Sequence, residues 1–353
     1  MKAAIKNAEG TFDIKDVDEP IIPTDDFVKV RVRVAGICGT DLRHWRKPEE
    51  SMCGKITGHE LAGEVVAVGD AVTNVKPGDR VVVETVMGDG VCPWCHVQQY
   101  NICEHLYDVR MKYVYHAYGE YLVGPSEKMY LLPDHVSFEE ATLVDTLSVC
   151  LHGLHRSGLT INDKVAILGA GPIGLGQLML AKASGADVMI TDIVDNSLNL
   201  AKELGADIVA NPHRDNPEQI AMEWTDGRGC DIVFECAGGP SMPVTLPQAT
   251  RMVRRGGKVV LIGGFDEGET SIPLEWQRIQ MSEIDLIPSA SFAYRDIYAE
   301  QGEIVQLIAK GKLPVKKLIT HRFTLDQINE AFDVDNEKER TGAVFVAITV
   351  SED

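Results

Sequence analysis

Apolar and polar positions alternate over short stretches through the first third of the chain. Val28–Ala35, Leu61–Val68 and Arg80–Glu84 are such segments, separated by turn clusters such as Val75-Lys76-Pro77-Gly78-Asp79, so Lys2 to about Pro133 reads as a β-rich domain. From about Lys164 the rhythm changes. Compact apolar runs at Val165–Leu168, Val188–Thr191, Ile232–Phe234 and Val259–Ile262 alternate with helical stretches, one from Pro172 and one through Leu198–Leu204. That alternation specifies βαβ units and a parallel sheet, hence an α/β protein. Beyond about Pro288 come helical stretches at Ile297–Ala309 and Leu325–Phe332 and a last strand, Ala343–Ile348. Periodicity leaves open whether this tail extends the parallel sheet or returns to complete the first domain.

The length of 353 residues suits two domains of about 150 residues each. With 44% hydrophobic and 25% charged residues the chain has the composition of a soluble globular protein. No apolar run approaches the roughly 18 residues of a membrane span, so no membrane partner is expected. The opening residues carry no hydrophobic leader segment, and a cytoplasmic location is the expectation. The formal charge of −19 repels phosphate backbones, and nucleic acid is excluded as a partner. Eight cysteines in a reducing compartment argue against a disulfide framework. Three of them, Cys92, Cys95 and Cys103, fall within twelve residues, which points to a metal.

Gly169-Ala170-Gly171-Pro172-Ile173-Gly174 follows the strand Val165–Leu168 and opens a helix, the context in which a GxGxxG pattern binds a dinucleotide. The first glycine permits the tight turn and the second lets the backbone approach the pyrophosphate. The third allows close packing, and Ile173 lies inside the same turn. Asp192, eighteen residues past Gly174, is placed to accept from the ribose hydroxyls. A carboxylate there repels a 2′-phosphate, and neither Ile193 nor Val194 could hold one, so NAD is expected rather than NADP.

Two further groups suit zinc. Cys38 in Gly36-Ile37-Cys38-Gly39-Thr40-Asp41 and His59-Glu60 in Gly58-His59-Glu60 offer a thiolate, an imidazole and a carboxylate, a mixed set that leaves a position for substrate. Asp89-x2-Cys92-x2-Cys95-x7-Cys103 offers four donors in one loop.

These motifs, with Gly119-Glu120-Tyr121 and Phe234-Glu235-Cys236-Ala237-Gly238, occur in an order that resembles the medium-chain zinc dehydrogenases, in the branch containing sorbitol and threonine dehydrogenases. The resemblance implies a GroES-like β-rich catalytic domain over 1–150 and 291–353, and a Rossmann doubly wound NAD-binding domain over 151–290. It implies a catalytic zinc on Cys38, His59 and Glu60 and a structural zinc on the thiol loop, where Asp89 replaces the family's first cysteine. Asp145 stands where this branch usually has glutamate followed by proline, and the expectation is that it meets zinc directly or through a water. The resemblance adds Gly263 and Phe292 to the cofactor residues and implies a homotetramer, with a dimer as the alternative.

The reaction expected is reversible hydride transfer between NAD and the secondary alcohol of a polyol, with Thr40 in the proton path and Cys38, His59, Glu60 and Asp145 as the catalytic set. A threonine-like amino alcohol is the second substrate class and a phosphorylated or acidic polyol the third. Arg43 stands where many relatives carry a relay histidine, with His44 one residue later. Arg43, His44, Arg46 and Lys47 form a basic run suited to an anionic substrate group, while Tyr294 and Arg295 fall near the position that reaches substrate in relatives. A zinc-free reductase would lack Cys38, His59 and the thiol loop, and a non-catalytic binding protein would tolerate their loss. Their presence argues against both.

Overall fold

The computed structural model describes residues 1–106, 108–109, 116–264 and 271–352. The start of the chain forms β1 (Lys2–Lys6), β2 (Phe12–Asp16), β3 (Phe27–Gly36), β4 (Leu61–Val68), β5 (Arg80–Val83), β6 (Tyr121–Pro125) and β7 (Met129–Leu131). The alternating middle forms β8 (Lys164–Leu168), β9 (Asp187–Thr191), β10 (Ile208–Ala210), β11 (Cys230–Glu235), β12 (Val253–Leu261) and β13 (Asp285–Pro288). The tail adds β14 (Tyr294–Arg295), β15 (Tyr298–Ala299), β16 (Ile319–Thr324) and β17 (Phe345–Thr349). Two compact units result. One comprises Met1–Thr146, Phe292–Gly311 and Val315–Asp353; the other comprises Leu147–Ser291 and Lys312–Pro314.

In the first unit β3 is the spine of a seven-stranded sheet ordered β16-β17-β3-β4-β5-β7, with β6 also paired to β3. Val28, Val30 and Val32 of β3 are fully buried, as the alternating pattern requires of a sheet with one core face. The tail, whose destination periodicity leaves open, returns here. β17 pairs antiparallel with β3 through Ala347↔Gly36, Ile348↔Ala35 and Thr349↔Val34, so the end of the chain flanks the segment that leads to Cys38.

The second unit is a six-stranded parallel sheet ordered β10-β9-β8-β11-β12-β13. Val165, Ala166, Ile167 and Leu168 of β8 are all fully buried, because helices cover both faces of such a sheet and no polar face is left. The order reverses between β8 and β11, since β9 and β10 lie to one side of β8 and β11 to β13 to the other.

Two boundaries differ from the pattern reading. β12 starts at Val253, not Val259, although Arg254-Arg255-Gly256-Gly257 reads as a turn. Arg254 Nε donates to Asp231 at 2.6 Å, and a register shift between Cys230 and Ile232 absorbs the irregularity. The helix expected from Ile297 begins at Glu300, because Asp296 at φ 56° closes the β14–β15 hairpin and takes Ile297 and Tyr298 out of helical register.

A buried polar node holds the thiol-rich loop to the first unit's sheet. Glu84, fully buried after β5, accepts from Tyr100 Oη at 2.5 Å, Lys128 Nζ at 2.9 Å and Tyr130 Oη at 2.7 Å. Lys128 Nζ also sits 3.7 Å from the centre of the Tyr100 ring. Burial and then the Glu84 charge push both phenols above their ordinary range, so they remain donors throughout the working pH range. Removing the cation leaves a buried carboxylate without its counter-charge. Lys128→Met should therefore lower unfolding stability by about 3 kcal/mol, measured as a shift in the urea midpoint. An unchanged midpoint would mean that the two tyrosines alone satisfy Glu84.

Candidate functional site

The thiol loop closes as its spacing suggests. One donor atom from each of Asp89, Cys92, Cys95 and Cys103 lies within 4.8 Å of all the others. The loop is shaped by backbone bonds to Asp89, whose Oδ1 accepts from Val91 N and Cys92 N, each at 2.9 Å. Those two bonds, the Cys92 one first, hold the Asp89 carboxyl at about 2, so it stays ionised. Cys92 Sγ and Cys95 Sγ stand 3.5 Å apart, and Asp89 N donates to Cys103 Sγ at 3.3 Å. Burial pushes the Cys95 thiol up to about 12, while the Cys95 backbone N–H lowers the Cys92 thiol. Three thiols and an ionised carboxylate around a common centre fit tetrahedral zinc.

Cys38 caps the helix Gly39–Arg46, where a thiolate gains from the helix dipole. Its own N–H donates to Asp41 Oδ2 at 3.2 Å, and the Thr40 backbone N–H reaches its sulfur. Asp41 also accepts from Tyr118 Oη at 3.0 Å and faces His59 Nδ1 at 3.7 Å, which leaves Nε2 as the nitrogen for a metal. Gly58, at φ +88°, sets the turn before His59; a Cβ there would stand 2.8 Å from the Tyr118 ring. Glu60 and Asp145 are both buried. The Thr146 hydroxyl donates to Glu60 Oε1, and Thr85 Oγ1 lies 3.4 Å from Asp145 Oδ2.

Burial, followed by the neighbouring carboxylates, pushes both the Cys38 thiol and the Glu60 carboxyl well above their ordinary values. Among the described residues Glu60 Oε2 has no hydrogen-bond partner. A buried set of acids that raise one another, with an orphaned oxygen among them, is what a divalent cation would relieve, so the donor chemistry fits zinc. Among the described residues only the Asp89–Cys103 group closes to mutual ligand distance. Cys38, His59, Glu60 and Asp145 are gathered more loosely.

In the second unit the turn Gly169–Gly174 lies between β8 and the helix Pro172–Ala183. Gly169 has φ +99°, and a Cβ there would stand 2.8 Å from Ala237 N. One at Gly174 would fall 1.8 Å from the Gly169 oxygen. At Gly171 nothing lies within 4 Å of that position, so the backbone faces open space that an approaching pyrophosphate could fill. Ile173 O accepts from Cys150 Sγ at 3.2 Å. Asp192 Oδ2 accepts from Ala170 N at 2.6 Å and Oδ1 from Val194 N at 2.8 Å, so the acid is fixed to the same turn. Gly263 N donates to Glu235 O at 2.9 Å. Phe292 belongs to the first unit and is fully buried.

The basic run is largely engaged. His44 is buried, and its Nδ1 stands 2.8 Å from Glu49 Oε1; burial lowers its pKa. Arg46 Nε donates to Asn336 at 2.7 Å, and Arg43 is half-buried. Tyr294 packs edge-on to Tyr100 with ring centres 6.2 Å apart, and Arg295 pairs with Glu303 at 3.0 Å. Thr85 and Thr146, which orient the two carboxylates, escape sequence reading because a lone threonine after a strand or inside a helix carries no pattern.

Family models agree with this geometry. Residues 24–134 match the alcohol dehydrogenase GroES-like domain and residues 172–310 the zinc-binding dehydrogenase. The chain is 34% identical to D-arabitol-phosphate dehydrogenase of Enterococcus avium, over 94% of each chain. It is 33% identical to sorbitol dehydrogenase of Bacillus subtilis, over 94% of this chain and 93% of the relative. A crystal structure of an Escherichia coli oxidoreductase of unknown specificity superposes with a TM-score of 0.89 at 31% identity, over 99% of both chains. The chain therefore belongs to the zinc-dependent medium-chain alcohol and polyol dehydrogenases, oxidoreductases that join a GroES-like domain to a Rossmann domain.

Proposed function

We propose that this enzyme oxidises a secondary hydroxyl of a neutral polyol to a ketone, reversibly, with NAD as hydride acceptor. The observation that carries the reading is the donor set of Cys38 with the buried His59, Glu60 and Asp145, in which neighbouring acids raise Cys38 and Glu60 and Glu60 Oε2 has no hydrogen-bond partner among the described residues. In this reading Cys38, His59 and Glu60 hold the catalytic zinc, and Asp145 meets it directly or through a water. Zinc, when bound, supplies the Lewis acidity that lets an alcohol lose its proton near neutral pH. Thr40, adjacent to the Cys38 sulfur through its backbone N–H, offers its hydroxyl to carry that proton away. Asp41 orients both Cys38 and His59. Asp89, Cys92, Cys95 and Cys103 hold the structural zinc.

Gly169, Gly171, Ile173 and Gly174 receive the pyrophosphate, Asp192 selects NAD by repelling a 2′-phosphate, and Gly263 and Phe292 complete the cofactor set. Commitment of His44 to Glu49, Arg46 to Asn336 and Arg295 to Glu303 supports a neutral substrate over an anionic one. Arg43, His44, Tyr294 and Arg295 then serve as hydrogen-bonding groups toward the substrate hydroxyls. Exposed Val91, Trp94, Val97 and Ile102 on the thiol loop support self-association, for which a homotetramer is the first model and a dimer the second. None of the eight cysteines is joined in a disulfide, which supports a cytoplasmic enzyme, and no described helix is long and apolar enough to cross a membrane.

Three outcomes are expected. Elemental analysis should give two zinc ions per chain with turnover on polyols; His59→Ala should keep one zinc and lose at least about a thousandfold in kcat, the scale of losing metal-assisted charge stabilisation. Turnover near wild type in His59→Ala would end the scheme. Asp89→Cys should slow chelator stripping of one zinc per chain by about tenfold, since thiolate holds zinc better than carboxylate; an unchanged rate would mean that Asp89 is not a ligand. The wild-type enzyme should favour NAD over NADP by about a hundredfold or more in kcat/KM, with Asp192→Ala narrowing the ratio. Equal use of both cofactors would remove Asp192 from the selective role.

A further inference from the structure

Parallel sheets bind ligands outside the carboxyl ends of their strands where the strand order reverses, and here that point lies between β8 and β11. The β8 side carries the Gly169–Gly174 turn. The β11 side ends in Glu235, which pairs in register with Leu168, the residue before that turn. Glu235 is fully buried. Oε1 accepts from Ala237 N at 3.2 Å, Gly238 N at 3.1 Å and Thr245 Oγ1 at 2.8 Å. Oε2 has no hydrogen-bond partner among the described residues and points toward Gly263, where a Cβ would stand 2.5 Å away.

The main chain of the same residue joins the strand ends. Its carbonyl accepts from Ile262 N at 3.0 Å and Gly263 N at 2.9 Å, while Cys236 N donates to Leu168 O at 2.9 Å. Gly239 N then donates to Gly264 O at 2.7 Å. The turn that Oε1 grips is the one that abuts Gly169, whose Cβ position lies 2.9 Å from Ala237 Cα. Three strand ends thus meet around one buried carboxyl group.

We infer that Glu235 is the positioning residue of the dinucleotide site: it locks the Ala237–Gly238 turn against Gly169 on one side and Gly263 on the other, and so fixes the far wall of the crevice that receives NAD. The inference rests on the reading that the Gly169–Gly174 turn binds NAD. A buried carboxyl group with three donors on one oxygen is an expensive way to fill volume, and an apolar residue would pack there at lower cost. Its geometry pre-organises the turn before the cofactor arrives, which is where binding energy is otherwise lost to ordering.

The test is titration of the zinc-loaded enzyme with NADH, read by nicotinamide fluorescence, alongside the thermal midpoint and the KM for the alcohol. Glu235→Ala should raise the Kd for NADH at least tenfold while the alcohol KM moves less than threefold. Glu235→Gln keeps an acceptor oxygen and should bring Kd back to within threefold of wild type. Equal Kd in wild type and Glu235→Ala overturns the inference, as does an alcohol KM that rises as far as the Kd. Should Glu235→Ala fail to fold, Thr245→Val decides: a two- to fivefold rise in Kd is expected from losing one of the three donors, and no change overturns it. A wild-type enzyme that binds no NADH would sink the cofactor reading itself, and this inference with it.

Discussion

Burying like charges together is the constraint on which the candidate catalytic site depends. Cys38, Glu60 and Asp145 are withdrawn from water among one another and beside Asp41, an arrangement that costs stability unless a cation shares the space. The surrounding residues make sense as the means of holding those groups in place. Gly36 packs so closely that a Cβ would meet both Glu60 Oε2 at 2.6 Å and Phe345 at 2.4 Å. Phe345 comes from the last strand of the chain, so the C-terminal tail is part of the wall behind a candidate ligand, Glu60, that lies almost three hundred residues earlier in sequence.

The two candidate metal sites of the first unit share a short stretch of backbone. Glu84 anchors Tyr100 of the thiol loop, and Thr85, the next residue, lies against Asp145. A loop held by four donors and a buried ion pair thus adjoins the segment that orients a candidate catalytic carboxylate. Asp89 in place of a cysteine keeps the donor count, because its backbone bonds to Val91 and Cys92 hold it ionised and facing the thiols.

The cofactor side follows a different logic. No charge is needed from the chain at the pyrophosphate: backbone N–H groups at a helix start and an open approach at Gly171 suffice. The charged groups of that region also hold backbone in place. Asp192 fastens itself to Ala170 and Val194, and Glu235 fastens the neighbouring turn. Either acid removed would loosen backbone before it removed a direct contact.

Local sequence determined the parts of this protein whose physics is local. The fingerprint turn needs glycine at Gly169 for its positive φ and at Gly174 for its close approach to the Gly169 oxygen five residues back, and the thiol loop gathers four donors across short spacers. Strand and helix alternation gave the α/β class, since apolar periodicity reflects which faces are covered. What tertiary structure decided involves partners far apart in the chain. It brought β17 to β3, stretched β12 over a glycine pair by an Arg254–Asp231 contact, and cut Ile297 and Tyr298 out of an expected helix. It also gave Thr85 and Thr146 their roles, which depend on a carboxylate supplied from elsewhere. No periodicity encodes such a meeting, because it arises only when the sheets close and distant residues lose their water together.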